Sequence, residues 1–170
     1  MRIIRILALL LLGMWLGAAV FFSASVAPNV FGVLRGADLA NASSLAGSIV
    51  SPLLSTLNRA GFEIAIFLLV MSFFLTVGQT LIRRVAHLIS LGVVAIATGV
   101  GHWYIAARIA TLRAAMALPI DQISPTDERR IAFDNLHRYS VIVFAVAIVA
   151  AAVAFFLIAC NRTRSREHPA

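Results

Sequence analysis

Apolar and polar positions alternate along this chain on two scales. On the long scale, four runs nearly free of charge, about 6–27, 62–82, 85–107 and 139–160, are separated by polar stretches. Each is long enough to cross a hydrocarbon core, which takes about 20 residues as a helix. Ile6–Val26 and Tyr139–Cys160 hold no charge, and the run after Glu63 ends at Arg83 and Arg84. Between Val85 and Ala107, His87 and His102 stand where charge is otherwise missing. The pattern predicts an all-α integral membrane protein. One domain over 1–170 would carry four transmembrane helices in a bundle, extracytoplasmic loops at about 28–60 and 108–138, and short cytoplasmic tails.

On the short scale the loops are themselves patterned. Leu39, Ala42, Ala46, Ile49, Leu53 and Leu57 recur at spacings of three and four, the stripe of a short amphipathic helix in the first loop. Asp38 stands where a cap belongs, and Pro52 would kink or break the helix. Its polar face is Ser and Asn rather than Arg, so it reads as a roof over the bundle, unlike a basic lipid-binding helix. In the second loop the third helix runs on through Arg108, Leu112 and Met116 to Pro119. Ser124-Pro125-Thr126-Asp127 then starts the fourth helix, with Ser as cap and Pro at the first helical position. No breaker intervenes before Cys160, and at 1.5 Å per residue that helix is about 54 Å long. The third and fourth helices therefore extend beyond the membrane. The i,i+4 pairs Arg130–Asp134 and Asp134–Arg138 support the projecting part.

Composition agrees with contact with a lipid bilayer. The hydrophobic fraction is 61%, against about 45–50% in soluble domains. A net charge of +7 would point a soluble protein toward nucleic acid. Here the arginines lie in loops and tails with no basic helix face, so they read as topology control and no nucleic-acid partner is expected. Four spans put both termini on one side. With the termini in the cytoplasm, seven arginines fall on each side of the membrane. The cytoplasmic seven (Arg2, Arg5, Arg83, Arg84, Arg162, Arg164 and Arg166) crowd short segments where the positive-inside bias acts most strongly. A multi-pass cell (inner) membrane protein with cytoplasmic termini follows. Ser25-Val26-Ala27 loosely fits a signal cleavage site. The apolar run is too long for a signal core, however, and Pro28 would follow the cut, so the first span is retained.

Small residues mark helix contacts in lipid. They recur at Gly13/Gly17, Ala95/Gly99, Ala97/Gly101, Ala147/Ala151 and Ala150/Ala154, and would serve contacts within a subunit or in a homo-oligomer. Candidate chemistry is sparse. Glu63 reads as a headgroup-level carboxylate paired with Arg59. His102 and His137, near the outer ends of adjacent helices, are weak metal or haem candidates that would need further ligands, while His87 reads as solvated at the inner interface and His168 lies in the tail. Cys160 alone supports no intrachain disulfide or thiolate cluster. Sequons at Asn41 and Asn161 are short matches. No GxSxG, P-loop, HExxH or Rossmann pattern is present, so no catalytic residue and no cofactor is assigned.

Several motifs resemble one family. Trp15-Leu16-Gly17, Phe21-Phe22 and Ala27-Pro28-Asn29-Val30-Phe31 are similar to its N-terminal signature, and Arg108 with Leu112-Arg113 to its motif at the end of the third span. Pro119-Ile120-Asp121, Asp127, Arg129-Arg130, Phe133, Leu136-His137-Arg138 and Ser140 resemble its second-loop block. The family is domain of unknown function 4149, bacterial relatives of eukaryotic transmembrane protein 205. The resemblance implies a four-span helical membrane protein with no established activity and no catalytic set to carry over. In physical terms the cluster Arg113, Asp121, Asp127, Arg130, Phe133, His137 and Ser140 reads first as a clamp. Arg113 would face Asp127 and Asp134, Asp121 would meet Arg129 or Arg130, and Phe133, Leu136, His137 and Ser140 would dock against the third helix.

The leading functional expectation is a non-enzymatic structural or interaction component of the membrane. A second is a small transporter or export accessory for lipophilic or metal-linked solutes. It needs Ser72, Thr76, Gln79 and Thr80 to face Thr98, Ser23 and Ser25 around a cavity. A third is metal or haem binding through His102 and His137.

Overall fold

The computed structural model describes residues 2–160 apart from 77 and 117. Arg162, Arg164, Arg166, His168 and the sequon at Asn161 lie outside the described residues. Four long helices, α1 (Ile3–Gly36), α2 (Ala42–Leu75), α3 (Leu81–Ala115) and α4 (Glu128–Ala159), run up, down, up and down. Each is long and apolar enough to cross a membrane. Arg5 of α1 donates to the Ala159 carbonyl of α4, so the beginning and end of the bundle share one face.

Packing follows a 3–4 repeat that can be counted on each helix. The buried positions are Ala8, Leu12, Trp15, Ala19 and Phe22 on α1, and Ala65, Leu68, Ser72 and Leu75 on α2. On α3 they are His87, Leu91, Val94, Thr98, Gly101 and Ile105, and on α4 Ser140, Phe144, Ala147, Ala151, Ala154 and Ile158. That spacing is the seam of a left-handed bundle. Lipid is as apolar as leucine, so close approach of helices does the holding. The small residues accordingly line the seam, while Leu10, Met14, Val70, Phe73, Ile96 and Val149 face outward. α1 and α3 sit diagonally, each flanked by α2 and α4.

Trp15 is the largest anchor. Its indole N–H donates to the Leu57 carbonyl at 2.8 Å, and its ring meets Phe144 edge-on at 6.2 Å. It occupies the space above Gly61, where a Cβ would come within 2.7 Å of the indole. Of the small-residue pairs, Ala147/Ala151 and Ala97/Gly101 are buried inside the bundle. Gly13 packs on Phe155, whereas Gly17 faces open space.

Three boundaries differ from the sequence expectation. First, α1 does not stop near residue 27. A π-helical turn at Phe22–Val26, closed by the Ala27 N–H on the Phe22 carbonyl, precedes Pro28, and the wider turn lets the helix pass a residue with no N–H to give. Second, the amphipathic stripe is helical but is no separate roof, because it is the upper part of α2 and Pro52 lies inside that helix. The face also differs. Ala42, Ala46 and Val50 are buried, while Leu39, Ile49 and Leu53 are exposed. Neighbouring helices approach the small side of the segment, which admits close contact. Third, α4 starts at Glu128 with Asp127 as its cap, the carboxylate accepting the Arg129 N–H at 2.8 Å. Ser124 closes a turn instead, bonding Thr126 by both hydroxyl and N–H.

All four helices thus exceed a ~30 Å hydrocarbon core. Exposed Trp103, Tyr104 and Tyr139 lie at one level on α3 and α4, as aromatic residues do at a membrane–water boundary. About twenty residues, or ~30 Å, separate that level from the end bearing Arg83, Arg84 and Cys160. The cap above it is built from the upper turns of all four helices.

Candidate functional site

The second-loop cluster is divided in two by its hydrogen bonds. One half fastens backbone. Asp121 accepts the Ser44 N–H at 2.9 Å, tying the loop to the start of α2. Asp127 caps α4, and Arg129 donates to the Ala115 carbonyl at 3.0 Å, closing the end of α3. Arg130 donates to the carbonyls of Ile120 and Ile123 and pairs with Asp134 at 3.5 Å. These groups fasten the hairpin through carbonyls and N–H groups more than through arginine–carboxylate pairs. The expected meeting of Asp121 with Arg129 or Arg130 is absent among the described residues, because each finds an unfilled helix end or turn nearer by.

The other half walls a cavity. Arg113 does not meet Asp127 or Asp134; the described ion pairs are Arg130–Asp134 and Arg59–Glu63. Its Nη1 donates to the Gly47 carbonyl at 3.3 Å and the Ser51 hydroxyl at 3.1 Å, and Phe133 stacks under the guanidinium at 5.3 Å. A Cβ at residue 47 would lie 2.2 Å from Arg113 Nη2, so Gly47 is what lets the arginine lie there. Around it Phe133, Asp134, His137 and Ser140 of α4, Gly47, Ser51 and Asn58 of α2, and Phe31 and Arg35 of α1 enclose about 250 Å³. Phe31 of the N-terminal signature therefore reaches this cavity, with Arg35 over its ring at 5.5 Å. Trp15 holds the bundle below, and Pro28 and Gly17 are exposed.

Asp121 provides a pH-dependent tether. Partial desolvation raises its pKa, but the Ser43 hydroxyl and the N–H groups of Ser44 and Ser43 outweigh that and hold the carboxyl below its ordinary value. The unfolded chain then takes the proton more readily. The tether's contribution is complete above the ordinary carboxylate value of about 4 and fades as pH falls below it through the folded value. Protection of the Ser44 amide, the slowing of its exchange relative to the intrinsic rate at each pH, is expected to fall on acidification through that range. In Asp121→Asn protection should be low and flat, and wild-type protection independent of pH there would sink the tether. At the rim, His137 is exposed on one side, yet desolvation by the surrounding helices lowers its pKa. Asp134 partly offsets this and Arg113 adds to it.

His137 lines the cavity, whereas His102 is bonded to α2. His102 Nδ1 lies 2.9 Å from the Ser55 hydroxyl and 3.1 Å from the Ser55 carbonyl. A protonated Nδ1 donates to the carbonyl and an unprotonated one accepts from the hydroxyl, and either way the contact pins α3 to α2. Among the described residues no three His, Cys, Asp or Glu side chains gather as metal ligands. His87 is a correction of another kind. It is 1% exposed and bonded through Nε2 to Ser72 at 3.1 Å, because it shares the inward face with Leu91 and Val94. Glu63 pairs with Arg59 at 2.9 Å on the surface, as expected.

Several residues named for the transporter reading's polar path bond within their own helices. Ser72, Thr76 and Thr98 are buried, and each bonds a carbonyl one turn back on its own helix. Gln79 and Ser23 do the same, and none of them lines the cavity. Three residues that do line it, Gly47, Ser51 and Asn58, were not singled out from the sequence. They share one face of α2 at near-helical spacing, a signal hidden by the bulkier leucine stripe beside it.

A family model described as domain of unknown function (DUF4149) matches residues 10–117, well over half of the chain. The matched segment holds Trp15, Gly17, Pro28, Phe31 and Arg113, and ends before Asp121, Asp127, Arg130, Phe133, His137 and Ser140. No curated protein and no solved structure matches the chain.

Proposed function

The chain belongs to the family described as domain of unknown function (DUF4149), and from that premise we propose that it is a non-enzymatic membrane component that works by binding at the capped end of its four-helix bundle. The observation that carries this reading is Arg113. It is turned into a cavity of about 250 Å³ with no carboxylate partner among the described residues. Gly47 leaves the room it occupies and Phe133 stacks beneath it, so the guanidinium is held at the cavity wall where a ligand can meet it. The proposal places the cap on the extracytoplasmic side of an inner membrane, following the density of arginines at the opposite end.

Cysteine accessibility tests both parts. In a Cys160→Ser background, Ser51→Cys is expected to react with a membrane-impermeant thiol reagent on intact spheroplasts nearly as fast as exposed Ser124→Cys. Thr98→Cys, at 0% exposure, should stay unreactive. If Ser51→Cys is as inert as Thr98→Cys while Ser124→Cys reacts, the cavity is closed and the binding reading fails. If Ser124→Cys reacts only after the membrane is opened, the orientation is reversed.

A further inference from the structure

The charge and hydrogen-bonding state of the cavity specify the kind of ligand it would take. Three arginines, Arg35, Arg113 and Arg130, line it against one aspartate, Asp134, a formal surplus of two positive charges. Arg130 is already held by two carbonyls and Asp134. Arg113 is not so occupied. Both of its hydrogen bonds leave from Nη1, so the donors on Nη2 and Nε are open. A guanidinium presents five N–H groups in a fork that matches the spacing of carboxylate or phosphate oxygens.

A second observation comes from the floor. Asn58 is 3% exposed, lines the cavity, and its Oδ1 has no hydrogen-bond partner. Buried amides are rarely left so. Gly101 supports it from α3, where a Cβ would come within 2.9 Å of the Asn58 amide. Turning the amide over places its N–H₂ group where the oxygen stood, so either end can meet a ligand. The rest of the wall is mixed, with Phe31, Val50, Leu54 and Ile109 giving it an apolar part beside Ser55 and Ser140. The volume is near the lower end for small-molecule sites, which run from about 300 Å³ upward, and suits a small head with a few methylenes. Finally, the lining runs upward from Gly101 and Ser140, at the level of Trp103, Tyr104 and Tyr139, where lipid headgroups lie.

We infer that the cavity binds the oxyanion head of an amphiphile, a phosphate or carboxylate on an apolar body, with Arg113 as its charge partner and Asn58 at the floor. This rests on the reading of the cavity as a binding site and names its ligand. The anion can come from a membrane lipid or from a free amphiphile, since the chemistry recognised is the same.

Calorimetry on the full chain in a neutral maltoside detergent tests it with hexyl phosphate, hexanoate, inorganic phosphate and hexyltrimethylammonium. Hexyl phosphate or hexanoate is expected to bind, inorganic phosphate more weakly, and the cation not at all. Arg113→Gln should weaken binding about tenfold or more, the range of a hydrogen bond to a charged group. Arg113→Lys, which keeps charge and loses the fork, should fall between. Asn58→Asp places a carboxylate against the anion and should also weaken binding. The elution profile and melting temperature of each variant identify any that fails to fold, and the Lys and Asp variants then carry the comparison. Binding of the cation alone, equal affinity for inorganic and hexyl phosphate, or Arg113 variants of wild-type affinity would each overturn the inference. So would no binding at all. Failure here with a reactive Ser51→Cys removes the ligand class and leaves the site, whereas an inert Ser51→Cys removes both. Repeating the titration in phosphatidylglycerol and phosphatidylcholine nanodiscs separates the sources. Competition by the acidic lipid alone identifies a membrane lipid, and unchanged binding identifies a free amphiphile.

Discussion

Gly61→Val destabilises the bundle more than any substitution on a lipid-facing surface. A Cβ there lies 2.7 Å from Cε2 and Cζ2 of Trp15 and 2.8 Å from Nε1. The indole cannot swing away, since it is 4% exposed, bonded to the Leu57 carbonyl and edge-on to Phe144. Overpacking of this kind costs about 1–3 kcal/mol and more where the neighbour is rigid. The complementary truncation, Trp15→Ala, is expected to cost about 3–5 kcal/mol, the range for a buried aromatic removed from a packed site. Lipid supplies little hydrophobic force between helices, so lost van der Waals contact and the lost indole hydrogen bond account for it. Thermal unfolding in detergent, followed by loss of the monodisperse peak, measures both. The decisive comparison is a cycle with Trp15→Phe, which removes the atoms nearest residue 61. Gly61→Ala should be clearly less harmful in that background. Equal costs in both backgrounds would mean that the two residues do not meet.

The second large effect is on binding rather than stability. Gly47→Val puts a Cβ 2.2 Å from Arg113 Nη2, and the obstacle is the far end of a flexible side chain. The helix therefore stays and the guanidinium leaves, abandoning the Gly47 carbonyl and the Ser51 hydroxyl. The melting temperature is expected to change little, while affinity for hexyl phosphate falls about tenfold, as for loss of a charged hydrogen bond. Because both changes remove the same group, Gly47→Val and Arg113→Gln should not add. Additive losses would place the anion elsewhere in the cavity, and unchanged affinity would show that the position of Arg113 is immaterial.

Legibility in the sequence was uneven, for reasons that differ by residue. The four spans were readable because each is a local run, whereas the inward repeats of α3 and α4 were not, because a helix in lipid is apolar on every face. His87 belongs to such a repeat, inside with Leu91 and Val94, though its polarity suggests water. Pro28 and Pro52 look like stops by propensity, and both lie inside helices. A π-helical turn accommodates the first, and packing of Ala46 and Val50 against neighbours outweighs one missing hydrogen bond at the second. Ser124 and Asp127 compete for one helix start, and the carboxylate takes it.

The site was half legible. Arg113, Arg130, Phe133, His137 and Ser140 could be marked as a cluster, since they stand in one polar stretch between apolar runs. Their division into hairpin clamp and cavity wall could not. That division depends on which backbone groups lie open beside each arginine, and those belong to distant segments: Gly47 for Arg113, Ala115 for Arg129, Ile120 and Ile123 for Arg130.

By itself, then, the sequence determined the number of helices, their order and the polar end at which the second-loop signature residues gather. These are patterns along a single chain segment, set by the length needed to cross a bilayer. Only the tertiary structure decided which face of α2 turns inward, and that Arg113 looks into a cavity instead of toward a carboxylate. Those outcomes depend on pairs such as Gly61 under Trp15 and Gly47 beside Arg113. A missing Cβ on one helix makes room for a large side chain from another, and no pattern within either helix records the match.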